Sequence, residues 1–194
     1  MLDHKYWNDR YEASNTGWDL GHISLPLKTF FTTLTNKNLK ILIPGGGNSY
    51  EAQWLWEHGF TNVHVIDIAK YPLEQLKRRV THVPETHIHH EDFFNHEGSY
   101  DLIIEQTFFC ALSPILRQNY VHKMHSLLTP AGRLVGLLFD FELKNEGPPY
   151  GGQVSEYIDL FKPKFNIHKL ERATNSEKSR QGKELFFIFE KNKP

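Results

Sequence analysis

Short apolar runs recur through the middle of the chain, and segments with helical spacing of apolar residues lie between them. Leu39–Ile43 and Val63–Ile68 are the first two runs, and Ser49–His58 between them turns its apolar residues to one face. Continuous apolar strands that alternate with amphipathic helices are typical of a parallel sheet covered by helices on both faces. The pattern therefore predicts the α/β fold class.

The same alternation continues toward both ends of the chain. Further strands are predicted at 86–90, 100–105, 133–139, 165–171 and 184–190. Further helices are predicted at 4–13, 26–34, 72–80 and 154–161, with one more beginning at Ser113. We expect a turn at 130–132, where proline and glycine fall close together. Only a polar loop separates the last two strands, so these are expected to form a hairpin.

Length and composition are those of one domain with a full core, because the chain has 194 residues. Its net charge of −1, with acids and bases interspersed, gives no reason to expect binding to nucleic acid. One cysteine, no signal-peptide pattern and no apolar run of membrane-spanning length favour a cytoplasmic protein without membrane attachment. We expect a monomer or a weak homo-oligomer.

Three glycines follow the first predicted strand, in the segment Pro44–Glu51. Glycine lets the backbone approach a ligand closely, and the helix that follows directs free N–H groups at the same place. Asp67 lies twenty positions after Gly47, at the carboxyl end of the next strand, where an acid can accept hydrogen bonds from ribose hydroxyls. This arrangement predicts a site for a nucleoside-type cofactor.

A dinucleotide is disfavoured at this turn. The G-x-G-x-x-G motif needs a glycine where the chain has Tyr50. Glu51 also adds a negative charge in the first turn of the helix, where a pyrophosphate would lie. S-adenosylmethionine (SAM), which has a cationic centre and no phosphate, suits the turn better. An NAD(P)-dependent oxidoreductase and a turn that binds no ligand remain the alternatives.

Four of the twelve histidines, His87, His89, His90 and His96, are close together in the sequence. Their spacing does not match a familiar metal-binding motif. We therefore expect exposed histidines at the end of a strand, and no metal.

Five short motifs occur in order along the chain, and each alone would be a weak signal, whereas all five in this order are a specific one. They are Trp18-Asp19 with Pro26-Leu27, Pro44–Gly47, Phe108–Ala111, Gly147–Tyr150 and Arg180–Glu184. On these motifs the chain resembles class I SAM-dependent methyltransferases, more narrowly the thiopurine S-methyltransferase family, and within it the plant-type thiol/halide methyltransferases. The resemblance implies a Rossmann-like seven-stranded, mostly parallel sheet with the last strand antiparallel. It also implies a single domain in which a helical lid, residues 1–35, closes over a core of residues 36–194.

The resemblance assigns cofactor-binding roles by position. It places Trp7 and Trp18 in the lid against SAM, Gly45 and Gly47 at the methionine end, Asp67 at the ribose, Asp92 and Phe93 beside adenine, and Glu105 and Gln106 near the sulfonium. Two positions depart from the family pattern. Gln106 stands where relatives can carry arginine or tyrosine, and Tyr11 replaces the second tryptophan of the first lid helix.

The acceptor is predicted to meet Cys110 and Tyr150, with Tyr150 orienting it through its hydroxyl. Arg180 is expected on a solvated loop. Because no acid–base dyad is evident in the substrate-side segments, a nucleophile that arrives as an anion suits this site. The expected function is SAM-dependent methylation of a thiol, hydrosulfide or halide by in-line displacement, with S-adenosylhomocysteine (SAH) as product. A small-molecule O- or N-methyltransferase and a non-catalytic SAM-binding protein remain open.

Overall fold

The computed structural model describes residues 2–144 and 146–192. The helices are α1 His4–Glu12, α2 Leu25–Phe31, α3 Tyr50–Glu57, α4 Lys70–Arg79, α5 Arg117–Leu127 and α6 Val154–Phe161. The strands are β1 Ile41–Pro44, β2 Val63–Asp67, β3 Ile88–His90, β4 Tyr100–Gln106, β5 Leu128–Phe139, β6 Phe165–Arg172 and β7 Glu184–Lys191.

The strands form one seven-stranded sheet in the order β3-β2-β1-β4-β5-β7-β6. Strand β7 runs antiparallel to both of its neighbours, whereas the pairs β1–β2, β2–β3 and β4–β5 are parallel. The predicted fold class, the antiparallel last strand and the terminal hairpin are therefore confirmed. Within the described residues, no helix has the length and apolarity needed to cross a membrane.

Residues up to His96 form the first of two compact units. In this unit Ile41 is paired with Val63, and every residue of β1 and β2 is buried. Helix α3 buries Ala52, Leu55 and Trp56, in agreement with the apolar stripe of the sequence. Since burying one such side chain contributes about 1.5–3 kcal/mol, this face of α3 stabilises the unit substantially.

The second unit begins at Glu97 and has a largely aromatic core. The rings of Phe161 and Phe187 lie 4.9 Å and 4.4 Å from that of Phe189, measured between centroids. These residues are fully buried, and they come from α6 and β7. This packing stabilises α6 on the sheet, because Phe161 at the end of the amphipathic segment 154–161 is buried against Phe189 of β7.

Two predicted boundaries in this unit were wrong. Residues 130–132, predicted to be a turn between elements, lie inside β5, with Ala131 in the left-handed region. The pairing jumps from Tyr100–Leu128 to Leu102–Arg133, so the extra residues form a bulge rather than ending the strand. The helix predicted from Ser113 begins at Arg117, after a short 3₁₀ turn over Pro114–Leu116.

Candidate functional site

The glycine turn after β1 is built from backbone conformations that few residues adopt. Gly45 and Gly47 have φ angles of 57° and 52°, and Ser49 follows at φ 50° as the residue before α3. Glycine takes left-handed angles without steric cost, whereas a serine does so under strain. A Cβ on Gly46 would lie 2.3 Å from the Ser49 hydroxyl and 2.7 Å from Val65 Cγ1, so a larger residue here would displace both side chains.

Asp67 ends β2 and lies beside this turn. Its Oδ2 accepts a hydrogen bond of 2.7 Å from the Gly47 N–H, and its Oδ1 accepts one of 2.7 Å from the Ala69 N–H. Burial raises the pKa of the carboxyl, and these N–H donors act in the opposite direction. A carboxylate has about four acceptor sites, so these two hydrogen bonds leave acceptor capacity on the side chain.

The arrangement of the turn suits a nucleoside sulfonium in two respects. Among the described residues, the buried Ser49 Oγ finds no hydrogen-bond partner, which leaves a polar atom for a ligand group to satisfy. Asp67 supplies a fixed acceptor on the other side of Gly47. The turn and the acid, predicted from their spacing, are thus brought together.

Three aromatic side chains of the N-terminal segment form a cluster over the glycine turn. The ring of Trp18 makes edge contacts with Trp7 and Tyr11, at centroid distances of 5.5 Å and 5.7 Å. The Trp18 indole N–H donates to the Tyr11 hydroxyl at 3.4 Å. That hydroxyl lies 2.1 Å from where a Cβ on Gly47 would be, so Tyr11 reaches the turn itself. Sequence reasoning noted Tyr11 only as a departure and did not predict this contact.

Polar contacts join the N-terminal segment to the rest of its unit. Asn8 Oδ1 accepts from the Tyr71 N–H at 2.9 Å, and Asn48 donates to Asp19. Glu51, expected only to repel a pyrophosphate, is buried, and it accepts a hydrogen bond of 3.0 Å from the Ser24 N–H. The segment is therefore held to α4 by a side chain of its own, Asn8, and to α3 and the turn before it by the side chains of Glu51 and Asn48.

Asp92 and Phe93 lie in the turn after β3. Asp92 is exposed, and its Oδ1 accepts from the Phe94 N–H at 2.9 Å, which caps a short 3₁₀ turn. Phe93 is buried and makes an edge contact with Phe94 at 5.3 Å. Only one carboxylate oxygen is used in this cap, so the role predicted for Asp92 beside adenine stays a prediction.

The histidines near this turn differ from expectation. His90 is exposed, as predicted, but His96 is only 3% exposed and His87 and His89 are half-buried. The prediction of exposed strand-end histidines was therefore wrong for these three. Their rings contact one another and His64 on the neighbouring strand, which is what withdraws them from solvent.

In the second unit, Glu105 near the end of β4 is fully buried. Its Oε1 accepts from the Phe108 and Phe109 N–H groups at 2.8 Å and 2.9 Å, and its Oε2 accepts from the Tyr120 hydroxyl. Burial raises the pKa of Glu105 to about 7. These contacts show a role that the sequence did not predict, in which Glu105 fixes the turn that follows β4.

Gln106 and Thr107 complete the end of β4. Thr107 has a φ of 61°, and its hydroxyl donates to the backbone oxygen and to Oε1 of Gln106, each at 2.7 Å. A β-branched residue in the left-handed region is uncommon and costs conformational energy. Strained residues thus follow β1 and β4, two of the four strands whose carboxyl ends carry predicted cofactor residues.

Cys110 and Tyr150, predicted to share the acceptor side, are in contact through the backbone. The Tyr150 N–H donates to the Cys110 carbonyl at 2.7 Å, which holds the 147–152 loop against the turn after β4. The Cys110 Sγ donates to the Thr107 carbonyl at 3.3 Å, and burial raises the pKa of this thiol. Cys110 is therefore a neutral thiol rather than a nucleophile.

A small recess lies beside Cys110 in this unit. It is lined by Thr107, Cys110, Leu137, Leu138, Phe139 and Glu184. Arg180 was expected on a solvated loop, but it is buried, and its Nη1 lies 3.2 Å from Glu184 Oε1. A turn through Gly182, with φ 75°, returns the chain so that Arg180 and Glu184 meet.

A family model described as thiopurine S-methyltransferase matches residues 2–193, almost the whole chain. The protein belongs to the thiopurine S-methyltransferase family. The resemblance predicted from five short motifs is therefore confirmed, and the match spans both compact units.

Two curated relatives of the family illustrate its range. A probable thiol methyltransferase 2 of Arabidopsis thaliana is 33% identical over 164 residues, which cover 81% of this chain and 71% of the relative. A thiocyanate methyltransferase 1 of Brassica oleracea is 29% identical over 185 residues, which cover 92% and 81%.

One solved structure shares the fold at low sequence identity. The 1,6-didemethyltoxoflavin-N1-methyltransferase of Burkholderia thailandensis, solved with 1,6-didemethyltoxoflavin and SAH, superposes with a TM-score of 0.79. It is 15% identical, and the match covers 98% of this chain and 87% of that chain. At that identity the likeness concerns the fold alone.

Within each unit, the residues predicted for the site lie in groups. Gly45, Gly47 and Asp67 share one turn, and Trp7 and Trp18 contact each other beside it. Tyr11, Thr107 and the Arg180–Glu184 pair are the site features that sequence reasoning missed or misplaced. The spacing of Tyr11 in α1, four residues after Trp7, is the signal that could have shown Tyr11 on the same helix face.

Proposed function

We propose that this protein transfers a methyl group from SAM to a small thiol or hydrosulfide, with halide methylation as a side activity. The observation that carries the acceptor class is the recess beside Cys110, which is largely apolar and whose one carboxylate, Glu184, is paired with Arg180. A soft anion loses its water shell at low cost, so it can enter such a recess. The two curated plant relatives are named for acceptors of this kind, a thiol and thiocyanate.

Asp67, Gly45 and Gly47 are proposed to hold the ribose and the methionine end of SAM. The free acceptor sites of the Asp67 carboxylate and the unsatisfied Ser49 hydroxyl support this assignment. Trp7 and Trp18 would cover the cofactor from the lid, and Asp92 with Phe93 would flank the adenine. Glu105 and Gln106 are proposed near the sulfonium, with Glu105 acting mainly by fixing the turn after β4.

When bound, SAM supplies a methyl group whose leaving group is already activated by a positive sulfur. The protein therefore has to orient the nucleophile and exclude water, which are effects of position rather than of acid–base chemistry. The aromatic cluster of the N-terminal segment is placed to exclude water at the glycine turn. Lower local polarity would strengthen the attraction between an anionic acceptor and the sulfonium.

The buried carboxylates near the recess argue against an alcohol as acceptor. A hydroxyl acceptor needs a general base with a free lone pair. Glu105 already accepts three hydrogen bonds, and Glu184 is paired with Arg180. A thiolate or iodide needs no base, so both suit the recess as it stands. An O- or N-methyltransferase is the alternative that the acceptor panel below distinguishes.

The test is an acceptor panel with methyl-labelled SAM, containing small thiols, hydrosulfide, iodide, a catechol and a primary amine. We expect methyl thioethers from the thiols. Their rate should rise with pH toward the pKa of each thiol, since the thiolate reacts, whereas the rate with iodide should not. Efficient methylation of the amine or catechol, with thiols and iodide inert, would make the acceptor assignment wrong. Binding of SAH without turnover of any acceptor would instead favour a non-catalytic SAM-binding protein.

A further inference from the structure

A second group of chemically active side chains lies at the edge of the sheet, in the first unit. One ligand atom from each of His89, Glu91 and His96 lies within 4.8 Å of the others. His89 belongs to the edge strand β3, and the other two follow it along the chain. The Nδ1 atoms of His96 and His89 lie 2.7 Å and 3.8 Å from the same oxygen, Glu91 Oε1. We call these three residues the edge cluster.

Hydrogen bonds behind the edge cluster determine which nitrogen of His89 carries its proton. With Asn62 oriented as in the structure, its Oδ1 accepts from the His64 Nε2–H at 2.9 Å. The other nitrogen of His64, Nδ1, is then an acceptor, and it lies 3.1 Å from His89 Nε2. His89 Nε2 must therefore donate, which leaves an unprotonated Nδ1 on the same ring.

That unprotonated Nδ1 faces a carboxylate. His89 Nδ1 and Glu91 Oε1 are both acceptors and lie 3.8 Å apart, so they form no hydrogen bond with each other. A cation bound between the two acceptors would satisfy both.

We propose that the edge cluster binds a borderline divalent metal ion, Zn²⁺ in the first instance, through His89, Glu91 and His96. Imidazole nitrogens favour zinc over magnesium or calcium, and two histidines with one carboxylate are an established zinc ligand set. Tetrahedral ligands at zinc lie about 3.3 Å apart, so the three side chains need shifts of about 1 Å or less from their present positions. His64 and Asn62 would orient His89 from behind, as outer hydrogen-bond partners of zinc histidines do.

The position of the edge cluster indicates a structural ion rather than a catalytic one. Glu91 donates its backbone N–H to the Asp67 carbonyl at 3.2 Å, so the segment after β3 is already joined to β2 at this point. An ion would add a second attachment between β3 and His96, five residues beyond Glu91. The ion is therefore expected to stabilise this segment and the fold, independently of any acceptor chemistry.

The experiment uses the full chain without an affinity tag, freed of metal by a chelator. Zn²⁺ binding is measured by calorimetry, and Co²⁺ is used as a spectroscopic probe because its visible absorption reports coordination. We expect one equivalent of Zn²⁺ per chain and a raised melting temperature. The Co²⁺ complex should lack a thiolate charge-transfer band, which would otherwise indicate binding at Cys110.

Three variants locate the site. His89→Gln and Glu91→Gln should each weaken Zn²⁺ binding by more than about tenfold, since even outer-shell changes cost 10–100-fold. Both side chains are partly exposed, so neither change should prevent folding. His168→Gln is the matched control, because His168 Nε2 also lies near a carboxylate, 3.5 Å from Glu190 Oε2. Among the described residues, this pair is not part of a group of three metal-ligating side chains. Absence of one-to-one binding, or equal affinity in wild type and both edge-cluster variants, would overturn the proposal.

Discussion

Replacement of Glu105 by glutamine isolates the energetic effect of burying a carboxylate in the turn after β4. Glutamine keeps an oxygen that can accept from the Phe108 and Phe109 N–H groups, and its NH₂ group can donate to the Tyr120 oxygen if that hydroxyl turns. The variant thus resembles protonated Glu105 in shape and hydrogen bonding, but it cannot ionise. Any difference in pH dependence between the two proteins therefore reports the ionisation of Glu105.

The expected magnitude follows from the pKa of the folded protein. The pKa of Glu105 rises from 4.5 to about 7, so between these values the folded protein keeps a proton that the unfolded chain releases. Stability then falls as the pH rises, by about 3 kcal/mol in all, since one pKa unit corresponds to about 1.4 kcal/mol. From pH 5 to pH 8 the wild type should lose about 2–3 kcal/mol relative to the variant, and little more above pH 8.

Urea unfolding at several values from pH 5 to pH 8 measures this difference, with circular dichroism and tryptophan fluorescence as parallel probes. Glu57→Gln serves as the control for loss of a charge, because Glu57 is exposed on α3. The reasoning is refuted if the difference between wild type and Glu105→Gln is independent of pH. It is also refuted if the wild type gains stability relative to the variant as pH rises.

Further predictions concern the cofactor and the acceptor. Asp67→Ala should weaken SAM and SAH binding by roughly 1.5–3 kcal/mol, because charge-assisted bonds to the ribose are lost; unchanged affinity in the folded variant would contradict the ribose assignment. Hydrogen exchange should show residues about 4–24 protected by SAH if they close as a lid, whereas equal protection with and without SAH would identify this segment as permanent core. Tyr150→Phe should lower turnover of a thiol while leaving SAM affinity nearly unchanged, as measured by steady-state kinetics and calorimetry; a parallel loss of SAM affinity would place Tyr150 at the cofactor instead.

The sheet could be predicted from the sequence because its first two strands are buried and mainly apolar. Every residue of β1 and β2 is buried, and the position of Asp67 at the end of β2 followed from the same pattern. The bulge in β5 and the 3₁₀ turn before α5 were not predictable in this way. The strand β5 continues through Pro130 and Gly132, because pairing on both sides of a bulge outweighs the local preference of these residues for a turn.

Site residues whose positions follow from the backbone could be predicted from the sequence. Site residues whose positions depend on side-chain partners far along the chain or across a turn were harder to predict. The turn at Gly47 and its acid were found from spacing alone, since Asp67 lies twenty positions after Gly47, at the end of the next strand. Arg180 was misplaced because its partner Glu184 lies across a turn, and a charged residue looks solvated until that partner is known. The burial of His96 depends in the same way on contacts with Glu91 and His89 that its position in the sequence does not show.

The left-handed conformations of Ser49 and Thr107 have a consequence for laboratory evolution. Each costs about 1–2 kcal/mol relative to glycine, which adopts the same angles freely. Selection for heat resistance alone would therefore favour glycine at both positions, and it would remove two hydroxyl groups from the loops proposed to meet the substrates. Heat resistance and catalytic efficiency should consequently diverge first at these two residues, whereas exposed helix positions can be improved without that conflict.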